Sequence, residues 1–115
     1  MDLDKLTLGE AKQLNSLLAG APASGRDSHP YKLGVNYLIR TVTFYYIGRL
    51  VSILPQELVL VDAAWVADTG RFMNALKDGT LAEVEPYPDE EEVVIGRGSI
   101  VDAVRWRHDL PRVQK

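Results

Sequence analysis

The stretch that most constrains the fold is "LGVNYLIRTVTFYYIGRLVSILPQELVLVDAAWV", Leu33 to Val66. It is rich in Val, Ile, Thr and Tyr, whose branched or ring side chains suit a pleated, half-buried surface. Its punctuation is sparse. Gly48 marks a turn or a bulge, and Pro55-Gln56 marks a tight turn. The pattern predicts a three-stranded antiparallel meander: one long strand from Leu33 to Tyr46, a second through Leu54, and a third from Glu57 to Val66.

The remaining elements follow from local signals. "DTGRFMNALKDG" predicts a short helix after the third strand, with Asp68 as N-cap, Phe72, Ala75 and Leu76 as an apolar stripe and Gly79 as the stop. "LAEVEPYP" predicts a short edge strand confined by Pro86 and Pro88. "EVVIGRG" and "SIVDAVRWRH" predict two last strands joined through glycines. At the other end, "LTLGEAKQLNSLLAG" predicts an N-terminal helix within residues 1–20, because Thr7 and Glu10 make a capping box and Leu6, Ala11, Leu14, Leu17 and Leu18 one stripe. Residues 21–32 then form a loop and residues 33–115 the sheet body. The expectation is one α+β domain over residues 1–115, with an N-terminal helix and a mainly antiparallel sheet of five to six strands.

Composition narrows the function classes. With 46% hydrophobic and 25% charged residues in 115, the chain reads as an ordinary soluble globular domain. A net charge of -3 argues against non-specific coating of long nucleic acid, which needs a basic face. There is no cysteine, hence no disulfide framework and no thiolate metal site, which fits a reducing compartment. No segment approaches the roughly 18 apolar residues of a membrane span. Asp2 and Asp4 near the N-terminus are unlike a secretory leader. His29 and His108 are too few and too far apart for a zinc site, so no metal or cofactor is expected.

Several motifs carry possible chemistry, each beside a plainer reading. Gly96-Arg97-Gly98-Ser99 offers bare backbone amides and a guanidinium to an anion, or is a bulged turn with an exposed arginine. Asp68, Thr69 and Gly70 precede Arg71 and Phe72. A ring beside a guanidinium can hold a purine and its phosphate, or Phe72 belongs to the core at helical spacing. Arg105 and Arg107 alternate with Trp106, so on a strand both project to one face. Either the acidic run Asp89 to Glu92 or a phosphorylated ligand relieves their repulsion. Asp62 and Asp102 each interrupt an apolar strand, as inward groups holding an arginine or as part of the outward face. The run Glu83, Glu85 and Asp89 to Glu92 reads as a solvated face, and His29 as a loop or capping histidine. No catalytic set emerges; an enzyme acting on a nucleotide through His29 or Asp68 ranks last.

In order, "HPYK", "DAAWVADTGRF" and "GRGSIVDA" resemble a family of small phage and prophage proteins, the Thoeris anti-defence sponges of the first-described type, over roughly residues 5 to 115. The resemblance implies a non-enzymatic, phage-encoded sponge in the host cell cytoplasm. It would bind a cyclic ADP-ribose isomer, and in some members cyclic oligonucleotides, and deny that signal to the defence effector without cleaving it. It implies a homo-oligomer built from dimers with pockets near subunit interfaces. An aromatic stacks on adenine, carried onto Phe72, and arginines meet the pyrophosphate, carried onto Arg97 with Arg105 or Arg107. A pocket asparagine matches either Asn74 or Asn36. The resulting ligand-binding set is Asp68, Arg71, Phe72, Asn74, Gly96, Arg97, Gly98, Arg105 and Arg107. The alternative is a phage structural or interaction protein that binds another protein through its sheet edge and N-terminal helix.

Overall fold

The computed structural model describes residues 29–115. The chain divides into two units, Met1–Tyr31 and Lys32–Lys115. The expected N-terminal helix, and the loop up to residue 28, lie outside the described residues.

The second unit is α+β. Its strands are β1 (Asn36–Thr41), β2 (Tyr45–Ile53), β3 (Glu57–Asp68), β4 (Glu83–Pro86), β5 (Val93–Gly96) and β6 (Ile100–Arg105). Helix α1 (Phe72–Asp78) follows β3, and a single 3-10 turn, Arg97–Ser99, separates β5 from β6. All pairings are antiparallel in one six-stranded sheet of order β4-β3-β2-β1-β6. β4 pairs with the C-terminal half of β3, and β5 with residues Glu57 to Leu60 on its N-terminal half.

This order cannot lie flat. β5 and β6 would stand four inter-strand steps apart, about 19 Å. The link from Gly96 to Ile100 reaches at most about 14 Å even when fully extended. The sheet therefore rolls until its two edges meet at this link. Arg97 N–H donates to Gln56 O at 2.8 Å on the β3 side, and Ser99 O accepts from Val42 N–H at 2.9 Å on the β1 side. Burial agrees: Leu38 and Ile39 are neighbours on β1, point to opposite faces, and are both 0% exposed.

One face carries Leu38, Ile47, Ala64, Val66 and Val84, covered by Ala75 of α1, by Leu81 and by Trp106. On β2 the place of a side chain is left empty at Gly48, where an added Cβ would lie 3.0 Å from the Cβ atoms of both Leu60 and Ala63. The register shifts on either side of this region. Between Ile47 and Arg49 an extra residue enters β3, and between Leu50 and Ser52 an extra residue, Val51, enters β2. Such bulges bend a strand and increase its twist, which the rolled sheet requires.

The sequence-based expectation of one strand to Tyr46 is corrected. β1 ends at Thr41, and a hairpin through Val42 and Thr43 starts β2 at Tyr45. Thr41 makes the turn: its Oγ1 accepts from Phe44 N–H at 2.9 Å and donates to Phe44 O at 2.6 Å. Gly48 lies inside β2 beside a bulge rather than at the turn. The Pro55-Gln56 turn is as expected, with Leu54 N–H on Glu57 O at 2.9 Å. Asp68 is not the N-cap of α1. Arg71 holds that position without a side-chain cap bond, and Asp68 Oδ1 instead accepts from Gly70 N–H at 2.8 Å. Gly79 does end the helix, at φ 77°, with its N–H on Ala75 O. β6 stops at Arg105, so the alternation expected through His108 covers Arg105 but not Arg107.

Replacing Gly48 by alanine should destabilise the protein by about 1–3 kcal/mol, because the two opposing Cβ atoms are fixed by backbone and cannot swing aside. Gly96→Ala, at φ -67° with open space around it, should stay within about 0.5 kcal/mol of the parent. Urea denaturation of both variants checks the contrast.

Candidate functional site

The residues expected to bind a ligand fall at three places. Gly96, Arg97 and Gly98 form the link between β5 and β6, beside the β2–β3 turn: Arg97 Nη1 donates to Leu54 O at 2.8 Å. Neither glycine has a positive φ, and among the described residues a Cβ at either would meet nothing within 4 Å. Phe72 packs near the opposite end of β2, edge-on to Tyr45 at 6.2 Å. It is half-buried beside the core, and the guanidinium of Arg40 sits 4.5 Å from its ring centroid. Arg71 and Asn74 are exposed at the start of α1, just after Asp68. Arg105 is exposed opposite Tyr37 near the C-terminal end of β6, and Arg107 is exposed beyond the strand. Phe72 thus stands at the core margin, as the plain reading expects, half-buried rather than enclosed.

The two strand carboxylates do hold arginines. Asp102 lies opposite Arg40 across β6 and β1 and takes its Nε at 2.8 Å, with a second bond from Nη2. The hydrogen bonds from Arg40 hold Asp102 below the usual carboxylate range despite some desolvation, and bonding to Asp102 first, then to Tyr45, raises the Arg40 guanidinium further. Asp62 stands at φ 49°, the left-handed conformation of the β3 bulge. Its Oδ1 accepts from Glu90 N–H at 3.0 Å and its Oδ2 from Arg49 Nη1 at 3.0 Å. These two donors, Glu90 first, lower its pKa. Of the acidic run, Asp89 pairs with Arg112 and not with Arg105 or Arg107. Arg112 also donates to Tyr87 O at 2.7 Å and Ala63 O at 3.1 Å, clamping residues 87–89 to the β3 bulge.

A feature not expected from sequence is an aromatic groove of about 400 Å³. Its floor is a cross-strand row, Tyr46 on β2, Trp65 on β3 and Glu85 on β4, all on one face because they are register partners. Phe44 meets Trp65 edge-on at 5.6 Å. Pro86 to Pro88 form the opposite wall. Tyr87 is held there by its N–H on Ala63 O at 2.8 Å, and its hydroxyl pKa is raised by burial and by Tyr46. On the other side of the Phe44–Trp65 pair a second recess, about 570 Å³, is lined by Thr43, Tyr45, Asp68 and Thr69 among others. Phe44 and Tyr46 read in sequence as strand formers. The signal that could have found the groove is three rings, Phe44, Tyr46 and Trp65, at strand positions, together with a tyrosine set between two prolines.

Among the described residues no group of three or more His, Asp and Glu side chains could hold a metal ion. His108, the histidine of the C-terminal stretch, is structural: its Nε2 lies 2.8 Å from Leu76 O, and its ring stands where a Gly79 side chain would be. No helix among the described residues is long and apolar enough to cross a membrane. No family model, curated protein or solved structure matches the chain.

Folded-state pKa values that are depressed stabilise the protein above the unfolded value and cease to do so as pH falls through the folded one. Asp62 and Asp102 are both depressed from 3.8, so their contribution should be complete at neutral pH, begin to fall near pH 4 and be lost only as pH drops through the lower folded-state values. The double variant Asp62→Asn/Asp102→Asn should be less stable at pH 7 and show a shallower acid limb. Urea midpoints measured from pH 7 down to pH 2 check this.

Proposed function

We propose that this chain is a non-enzymatic capture protein for a compact phosphorylated nucleotide signal of the cyclic ADP-ribose class, a phage-encoded sponge that works in the host cytoplasm. The observation that carries the reading is the Gly96-Arg97-Gly98 link. Glycine serves where φ is positive or where something approaches the backbone closely. Positive φ is absent at both positions, and none of the described residues crowds either one. Close approach from outside is the remaining use, and the arginine between them supplies the charge an anion needs.

The resemblance supports the same class and adds that pockets complete themselves near subunit interfaces. That accounts for the spread of Arg71, Phe72, Arg97, Arg105 and Arg107 over separate places on one chain. A homo-oligomer built from dimers would let one copy contribute Arg97 and its bare backbone, and another the accessible part of Phe72 with Asn74 or Asn36. Capture needs no nucleophile; it needs donors held in place beforehand, because rigidity limits the ordering cost of binding.

Isothermal titration with cyclic ADP-ribose and its isomers tests the reading. Heat with one isomer is expected, with intact ligand recovered after denaturation; hydrolysed product would move the protein to an enzyme class, and no heat with any isomer overturns the proposal. Arg97→Ala should weaken capture by about tenfold or more, the loss of one or two charge-assisted hydrogen bonds.

A further inference from the structure

We propose that the two recesses flanking the Phe44–Trp65 pair form one docking groove for an extended, proline-rich protein segment that carries basic residues. The recesses share Phe44 and Trp65, so a ligand crossing that aromatic ridge occupies both. This favours an elongated ligand over a compact one. A polyproline II segment of about six residues spans on the order of 19 Å and makes no internal hydrogen bonds. It presents pyrrolidine rings to aromatic faces and leaves its carbonyls for outside donors, the mode by which aromatic-lined grooves read such segments. Trp65 is suited to donate: it is partly exposed, and its indole N–H meets no acceptor among the described residues. Trp106 is buried and gives its indole N–H to Asp109 O at 3.0 Å.

Charge decides the rest of the ligand's chemistry. Among the described residues no lysine or arginine lines either recess, while Glu85 lines the first and Asp68 the second. The acidic run continues beyond Pro88, where Glu90, Glu91 and Glu92 are exposed. A phosphorylated ligand would meet carboxylates there without a countercharge, so this groove is distinct in chemistry from the Arg97 link. A segment with arginine or lysine outside its prolines is complementary. The wall is rigid in advance: Pro86 and Pro88 restrict the backbone, and Arg112 and Ala63 anchor Tyr87 between them.

Fluorescence anisotropy with a labelled peptide of six prolines flanked by one arginine at each end, titrated with the full chain, tests this. Saturable binding is expected, at least about tenfold weaker when glutamates replace the arginines. Glu85→Lys, an exposed change that circular dichroism should show to be folded, should weaken the arginine-bearing peptide about tenfold and not the glutamate-bearing one. Failure of the arginine-bearing peptide to bind the folded parent overturns the proposal. So does equal binding of both peptides, or preference for a proline-free trimethyllysine peptide, which would make the groove a cage for a compact cation.

Discussion

Three residues connect β5 to β6, and that short link shapes the sheet. Two strands at opposite ends of the sheet order are brought within reach of one turn, so the sheet has to curl. Curling in turn needs strands that bend, and the bending is placed where the register slips, at Gly48 and Asp62 and again at Val51. Removing a side chain at Gly48 and forcing Asp62 to a positive φ are local costs that the closed sheet offsets by covering both faces of β1. The strained residue is not idle. Its carboxylate joins β2 to residue 90, and Arg112 ties the same bulge to residues 87–89.

The same arrangement sets the surface chemistry apart by place. The link itself is the basic, bare-backbone feature. The aromatic row Tyr46–Trp65–Glu85 lies where β4 pairs with the C-terminal half of β3, and the charge it carries, at Glu85, is negative. The basic link and the acidic aromatic row are thus different parts of one small domain.

Much of the fold was legible in the sequence. Third strand, helix stop at Gly79, short β4 and the Pro55 turn follow from periodicity and from residues with special backbone chemistry. The first hairpin was not legible, because Val42, Thr43 and Phe44 are strand formers. The turn is made by a threonine hydroxyl standing in for a backbone donor and acceptor, which composition does not reveal. The pairing of Asp62 and Asp102 with arginines was foreseen as one of two readings, but the partners were not, since cross-strand register decides them. The groove was missed for the same reason. Trp65 and Tyr46 are nineteen positions apart in sequence and opposite each other in the sheet.

One further consequence concerns the free side of β4. Val84 and Lys115 exchange two backbone hydrogen bonds, N–H to O at 3.1 and 2.9 Å. Lys115 thus occupies a hydrogen-bonding position on β4 that another strand would otherwise use. Open sheet edges invite pairing with other strands, and the segment at Lys115 covers this one. Loss of the Val84–Lys115 pairing would uncover that edge and favour association through the sheet.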